Sequence, residues 1–260
     1  MLVEIFSDPF LNSELAFRGG TALHKLFISP AARYSEDIDL VRTSNGPIKA
    51  IVDTLRKQLE PWLGKPQSTQ TKQSFKLIFY FSPESSQASR QRIKIEINIL
   101  ETFSVLDRLP KKFSVESDWF SGETEINTFQ LEELLATKLR ALYQRSKGRD
   151  VFDLWLAIKQ TEFDIPRTIQ IFGKYMNRGG TPVTRELFEK NLDLKLKEHT
   201  FLDDIGALLS PELKQSHSSV IDAENESTLI TENGERITTE GWNLVDAATE
   251  IKNKLLVHLS

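Results

Sequence analysis

Cysteine is absent from the 260 residues, which excludes disulfides, thiolate metal sites and a thiol nucleophile. Histidine is scarce. The four present, His24, His199, His217 and His258, are too scattered to make a metal cluster, so any bound metal is expected to be hard and held by oxygen. No apolar run reaches the roughly 20 residues that a membrane span needs. The start, Met1-Leu2-Val3-Glu4-Ile5-Phe6-Ser7-Asp8-Pro9, lacks the basic head and continuous apolar stretch of an export signal, so a cytoplasmic protein without a membrane partner is expected. A basic excess is missing as well. The 33 Lys and Arg against 37 Asp and Glu leave a formal charge of -4, which argues against a protein that coats nucleic acid non-specifically. Internal repeats and low-complexity stretches are also lacking.

What remains is the composition of an ordinary globular protein, 39% hydrophobic and 27% charged, long enough for a core domain plus a smaller appended one. After Gly19-Gly20, residues 21–27 space their apolar side chains as a helix does, with Pro30 as its end, so the two glycines sit where a loop becomes a helix N-terminus. Residues 38–41 read as a short strand, and 48–63 as an amphipathic helix with Pro61 in its last turn. Strands are expected at 75–81 and 92–100, separated by the polar turn 82–86. In the second, Ile93, Ile95, Ile97 and Ile99 share one face, and Lys94, Glu96 and Asn98 share the other. From Thr128 the pattern turns helical, over 131–143, 150–159, 165–175 and 185–197. Asn233-Gly234 predicts a hairpin within 229–238, and 242–259 returns to a helical period. The expected fold class is α+β: an α/β core over residues 1–128 with a small mixed sheet, then a mainly helical lobe over 129–260.

Asp37 and Asp39 lie two apart on the predicted strand, so their carboxylates leave the same face while Ile38 and Leu40 enter the core. An oxygen-only pair of this kind suits Mg²⁺ or Mn²⁺, and Glu96 on a later strand can add a third carboxylate. Gly19-Gly20 opening a helix offers backbone N–H groups and a helix dipole to a phosphate, with a hydroxyl from Thr21. A Gly-Gly pair by itself is usually just a turn, and an Asp-x-Asp on a strand is usually solvated; their order and proximity make the case. Asp150 and Asp153 fall three apart near a helix start, where Asp150 can be either a functional group or an N-cap and Asp153 can pair with Arg140 or Arg149. Lys138, Arg140, Arg145, Lys147 and Arg149 form the best candidate surface for an RNA backbone or a triphosphate, with a charged helix face as the bland alternative. Phe152, Trp155, Phe163 and Phe172 are explained by helical packing.

These residues resemble a known family. Gly19-Gly20-Thr21-Ala22-Leu23 with Lys25, followed by Arg33-Tyr34-Ser35-Glu36-Asp37-Ile38-Asp39-Leu40, is similar to the AbiEii/AbiGii-type nucleotidyltransferase toxins, MenT-like members of the DNA polymerase β-like nucleotidyltransferase superfamily. Lys138-Leu139-Arg140-Ala141-Leu142 and Arg145-Ser146-Lys147-Gly148-Arg149-Asp150-Val151-Phe152-Asp153-Leu154 resemble a second block of the same family. The likeness runs from Phe17 to Leu156, and the segment before Gly19 is shorter than the family leads one to expect. The resemblance implies transfer of a nucleoside monophosphate from a nucleoside triphosphate, with tRNA 3′ ends as acceptors for some members and a separately encoded antitoxin as partner. Read with it, Asp37 and Asp39 hold Mg²⁺ or Mn²⁺, with Glu96 as a third metal ligand or else an exposed strand carboxylate, and Gly19, Gly20, Thr21 and Ser35 hold the triphosphate, joined by Lys25 unless that is a solvated helix residue. Lys138 and Asp150 join Asp37 and Asp39 as catalytic candidates, in a cleft expected between the two lobes. A protein or small-molecule hydroxyl as acceptor, and a nucleotide- or antitoxin-binding module without turnover, are the competing readings.

Overall fold

The computed structural model describes residues 1–29, 32–35, 37–81, 91–206, 208–209, 228–230, 236–238 and 243–259. Two compact units emerge from the packing. The first comprises Met1–Ala22 and Glu36–Gln130, the second Leu23–Ser35 and Leu131–Ser260. Residues 23–35 thus pack with the helical part of the chain, although sequence position puts them in the 1–128 core.

The first unit opens with two short helices, α1 (Leu2–Ser7) and α2 (Pro9–Glu14). The chain turns between them because the Asp8 carboxylate accepts from Leu11 N–H at 2.9 Å and Pro9 occupies the first turn, where its missing N–H costs nothing. Then come β1 (Leu15–Arg18), α3 (Gly19–Leu26), β2 (Asp37–Arg42) and α4 (Lys49–Leu63). Helix α4 continues through Pro61 and ends at Gly64, whose φ of +77° suits glycine and whose N–H donates to the Glu60 carbonyl. Five strands follow: β3 (Gln67–Gln70), β4 (Ser74–Phe81), β5 (Gln91–Asn98), β6 (Leu109–Glu116) and β7 (Ser121–Thr128).

These make a seven-stranded mixed sheet in the order β3-β4-β5-β2-β1-β7-β6, larger than the small sheet that the sequence suggests. Strand β2 runs antiparallel to β1 and parallel to β5, and β4 is antiparallel to β5. In that register Ile38 stands beside Ile95 and Ile95 beside Leu77, so the alternate residues Ile38, Leu40, Ile95, Ile97 and Leu77 line one buried face. Ile51, Leu55 and Leu59 of α4 are buried, and α4 packs on β4. Pro110 lies within β6, which is tolerated because β6 is at the sheet edge and, among the described residues, has no ladder partner on its outer side.

The second unit is mainly helical: α5 (Leu131–Gln144), α6 (Arg149–Gln160), α7 (Ile165–Arg178), α8 (Arg185–Lys195), α9 (His199–Leu202) and α10 (Leu244–Lys254), with a final 3₁₀ turn, Leu256–His258. Its core is aromatic, with Phe172 and Phe188 ring centroids 5.8 Å apart and Phe152 and Trp155 at 6.1 Å. Tyr175 is buried with its hydroxyl donating to Glu133 at 2.7 Å, and Arg140 lies over its ring at 5.0 Å. The expected hairpin near 229–238 has its arms in β8 (Thr228–Ile230) and β9 (Arg236–Thr238), which pair antiparallel. Its Asn233-Gly234 turn, Pro30, the turn at 82–86, Glu36 of the motif and Trp242 lie outside the described residues. Among the described residues no helix is long and apolar enough to cross a membrane.

Candidate active site

Strand β1 runs straight into α3 at Gly19, where φ is +80°. A side chain there would be strained by the backbone angle alone. It would also overlap the carboxylate of Asp39, whose Cβ lies 3.1 Å from where a Gly19 Cβ would be. The turn therefore brings bare backbone against Asp39. Thr21, buried at the start of α3, donates its hydroxyl to the Asp37 carbonyl oxygen at 2.5 Å, which ties the helix start to β2. Gly20 is half-buried, while Lys25 and Ser35 are exposed.

The face of the sheet opposite the apolar one carries an ordered row of charge. Register places Arg18 of β1 beside Asp39 of β2, Asp39 beside Glu96 of β5, and Glu96 beside Lys76 of β4. One step along, Asp37 stands beside Lys94. The Lys94 ammonium lies 2.9 Å from an Asp37 carboxylate oxygen and 3.1 Å from Glu96, and Lys76 lies 3.2 Å from the other Glu96 oxygen. Arg18 also reaches Glu101 at 3.4 Å. The three expected carboxylates, Asp37, Asp39 and Glu96, thus share one surface with Arg18, which opens the Gly-Gly motif, and with Lys76 and Lys94, to which the motif reading gave no role. The signal for Lys94 was already in the alternation of β5, which sets it on the same face as Glu96.

The electrostatics within this row differ residue by residue. Burial pushes the Asp39 carboxyl above its usual range; Arg18 opposes the shift, and the neighbouring charges of Asp37 and Glu96 add to it. Burial would also raise Glu96, but hydrogen bonds from Lys94 and Ser74 and the Lys94 charge leave it below its ordinary value. Burial would lower Lys94, and its bonds to Asp37 and Glu96 outweigh that and raise it.

The donor chemistry suits a hard divalent cation: all-oxygen, carboxylate-rich, with two ligands projecting from one strand face and a glycine leaving room beside Asp39. Among the described residues, no three carboxylates or histidines already converge as a formed metal site. Asp37 and Glu96 are instead turned onto Lys94.

The second unit holds a different cluster, built around Asp153. Its fully buried carboxylate accepts from Arg33 through both oxygens, at 2.6 and 2.8 Å, from His24 Nε2 at 2.9 Å and from Lys138 at 2.8 Å. Lys138 also lies 3.1 Å from Asp150, which accepts two bonds of 2.8 Å from Arg145. Burial alone would raise both carboxyls, yet the charges of Lys138 and its neighbours hold Asp150 below its usual value and Asp153 well below. Lys138 is likewise raised, against its burial, by Asp153 and Asp150.

Three readings of this segment change. Asp150 lies inside α6 with Gly148 at the cap position, so it is not the N-cap; its carboxylate is bound to Lys138 and Arg145 instead. Asp153 pairs with neither Arg140 nor Arg149, because Arg33, Lys138 and His24 surround it, Arg149 binds Asp204 at 3.1 Å and Arg140 packs on Tyr175. The run Lys138, Arg140, Arg145, Lys147 and Arg149 divides: Lys138 is buried, whereas Arg145 and Lys147 are about half exposed and Arg149 partly so. Lys138 and Arg145 pair with Asp150, and Lys147 and Arg149 with Asp204, so part of the segment's charge is shared with carboxylates. Gly148 has a packing reason of its own, since a Cβ there would overlap the Phe201 carbonyl.

The sequence profile of the family described as "Nucleotidyl transferase AbiEii toxin, Type IV TA system" matches residues 1–223. No curated protein matches the chain significantly. Among solved structures, MenT4, a nucleotidyltransferase toxin from Mycobacterium tuberculosis, is 17% identical with a TM-score of 0.58, covering 100% of this chain and 90% of its own. A Helicobacter pylori protein assigned as a nucleotidyltransferase is 15% identical (TM-score 0.49, covering 99% and 89%), and JHP933 from the same species 14% (0.47, 99% and 87%). At such identities the MenT4 likeness speaks for the fold, a mixed α/β nucleotidyltransferase fold, and the profile speaks for the family.

Proposed function

Since the chain belongs to the AbiEii family, the nucleotidyl transferase toxins of type IV toxin–antitoxin systems, we propose that it transfers a nucleoside monophosphate from a nucleoside triphosphate to an RNA, with the 3′ end of tRNA as acceptor. The acceptor hydroxyl oxygen forms a bond to the α-phosphorus as the bond from that phosphorus to the bridging oxygen breaks, and pyrophosphate leaves. A separately encoded antitoxin is its protein partner, and the cytoplasm its place of action.

The observation that carries this reading is the packing of the Gly19 backbone against Asp39 on a strand face shared with Asp37. Asp37 and Asp39 would hold Mg²⁺ or Mn²⁺, with Glu96 beside Asp39 as the third carboxylate. Such a cation, when bound, neutralises phosphate charge and orients the reacting oxygens. Gly19 and Gly20 supply backbone that a triphosphate can approach, and Lys25 and Ser35, both exposed, belong to the proposal through the likeness of their segments to the family. Thr21 contributes chiefly by fixing the turn, since its hydroxyl is given to Asp37. Arg18, next to Asp39 in register, balances the carboxylate pair.

Lys138 and Asp150 belong to the proposal through the likeness of their segment to the family. Their geometry adds a condition: the Lys138 ammonium already shares its charge with Asp150 and Asp153, so it meets a substrate partly neutralised. The test is transfer of label from an α-³²P nucleoside triphosphate to RNA with Mg²⁺ present. Wild type should label RNA and Asp37→Ala should not, with unchanged folding; no labelling from any of the four triphosphates over a broad RNA panel would refute the proposal.

A further inference from the structure

We propose that Lys94 is a resident counter-cation of the carboxylate row, which a divalent ion must displace before Asp37 can ligate it. The inference rests on the proposed role of Asp37 and Asp39 as metal ligands. Its own ground is geometric. The Lys94 ammonium lies 2.9 Å from Asp37 and 3.1 Å from Glu96, so it bridges two of the three candidate ligands from the centre of the row. Lys76, on the next strand, touches only Glu96, at 3.2 Å, and Arg18 stands on the far side of Asp39.

Charge counting sharpens the point. Asp37, Asp39 and Glu96 carry three negative charges; Lys76 and Lys94 bind them directly, while Arg18 beside Asp39 shares its charge with Glu101. A divalent ion arriving with Lys94 still in place would meet carboxylates already partly neutralised and an ammonium within about 3 Å of its ligand oxygens, where like-charge repulsion is strongest. Lys94 can leave. Its side chain is 25% exposed, and a lysine stem has four rotatable methylenes by which the ammonium can swing into water without moving the strand. Lys94 therefore sets the affinity of the site for metal: it satisfies the carboxylates when no metal is bound, and it makes loading an exchange of one cation for another.

Mn²⁺ binding to the full chain without nucleotide, read by the loss of the free-ion electron paramagnetic resonance signal, tests this. Relative to wild type, Lys94→Met should bind Mn²⁺ more tightly by about threefold to thirtyfold, the range expected from removing two partly exposed ion pairs. Lys76→Met, which removes the same charge from the same face but leaves Asp37 untouched, should change affinity less. Lys94→Gln provides a second variant that keeps a polar side chain, and thermal unfolding checks that each variant is folded. Unchanged or weaker Mn²⁺ binding in both Lys94 variants, or an equal gain in Lys76→Met, would overturn the inference. Asp37→Asn and Asp39→Asn separate the two levels. If Mn²⁺ binding is lost in them but indifferent to Lys94, only the counter-cation role fails; if wild type and Lys94→Met both bind no Mn²⁺, the metal reading fails with it.

Discussion

The two charged clusters of this protein use the same residue types and reach opposite electrostatic ends. In the sheet unit, Asp39 is pushed toward its neutral form by burial, against a neighbouring arginine, and its companions are partly exposed. In the helical unit, Asp153 is more deeply buried and yet held firmly ionised, because Arg33, His24 and Lys138 all point at it. Burial opposes ionisation in both places, and the number and placement of donors decide which way each carboxyl goes. Asp153 is supplied with cations by the chain itself. An undersupplied carboxylate beside bare glycine backbone is a place where a cation from outside can be stabilising.

This contrast is open to direct attack. The largest effect is expected at Asp153: Asp153→Ala leaves Arg33 and Lys138 buried without their shared partner and should cost about 3–5 kcal/mol, read as a fall in the denaturation midpoint. Stability comparable to wild type would mean that the network is not what holds this unit. Next comes Gly19→Ala, which combines a positive-φ position with overlap of the Asp39 carboxylate; a loss of about 1–3 kcal/mol, together with loss of transfer activity, is expected from urea titration and labelling assays.

A smaller effect, of opposite sign, is expected at Asp39. Its folded-state pKa is raised, so ionising it costs stability as pH rises past the ordinary carboxylate value. Asp39→Asn should therefore melt higher than wild type at pH 7 without metal. The gain should vanish near pH 3, where Asp39 is neutral folded or unfolded. The pH profile of the helical unit runs the other way. Asp150 and Asp153 are depressed, so their contribution is present above about pH 4 and is lost as pH falls below it. Amide exchange of α6 followed from pH 6 to pH 3 should show this, and protection independent of pH would remove the assignment.

The same contrast explains what could be read from sequence. Asp37, Asp39 and Glu96 were legible because strands alternate with a period of two, and the helices of residues 131–195 because their apolar spacing is regular. Strand β1 was missed: Leu15, Ala16 and Phe17 are all buried, so no alternation marks it. Strand β6 does alternate, with Leu109, Lys111, Phe113 and Val115 less exposed than their neighbours, but two lysines and a proline obscure the pattern. The Asp153 cluster was out of reach for a different reason. It joins His24 and Arg33 to a residue 120 or more positions away, and nothing local in either segment records the pairing. The partner of Lys147 and Arg149 was out of reach for the same reason, because Asp204 lies more than fifty residues on.

The central claim is that the Asp37/Asp39 face is a site of nucleotide transfer and not a support of the fold. Asp39→Asn, assayed for ³²P transfer to RNA beside its own melting curve, tests it most directly. The account predicts a variant that melts at or above the wild-type temperature and transfers no label. A variant that still labels RNA, or that loses activity only to the extent that it loses structure, would contradict it.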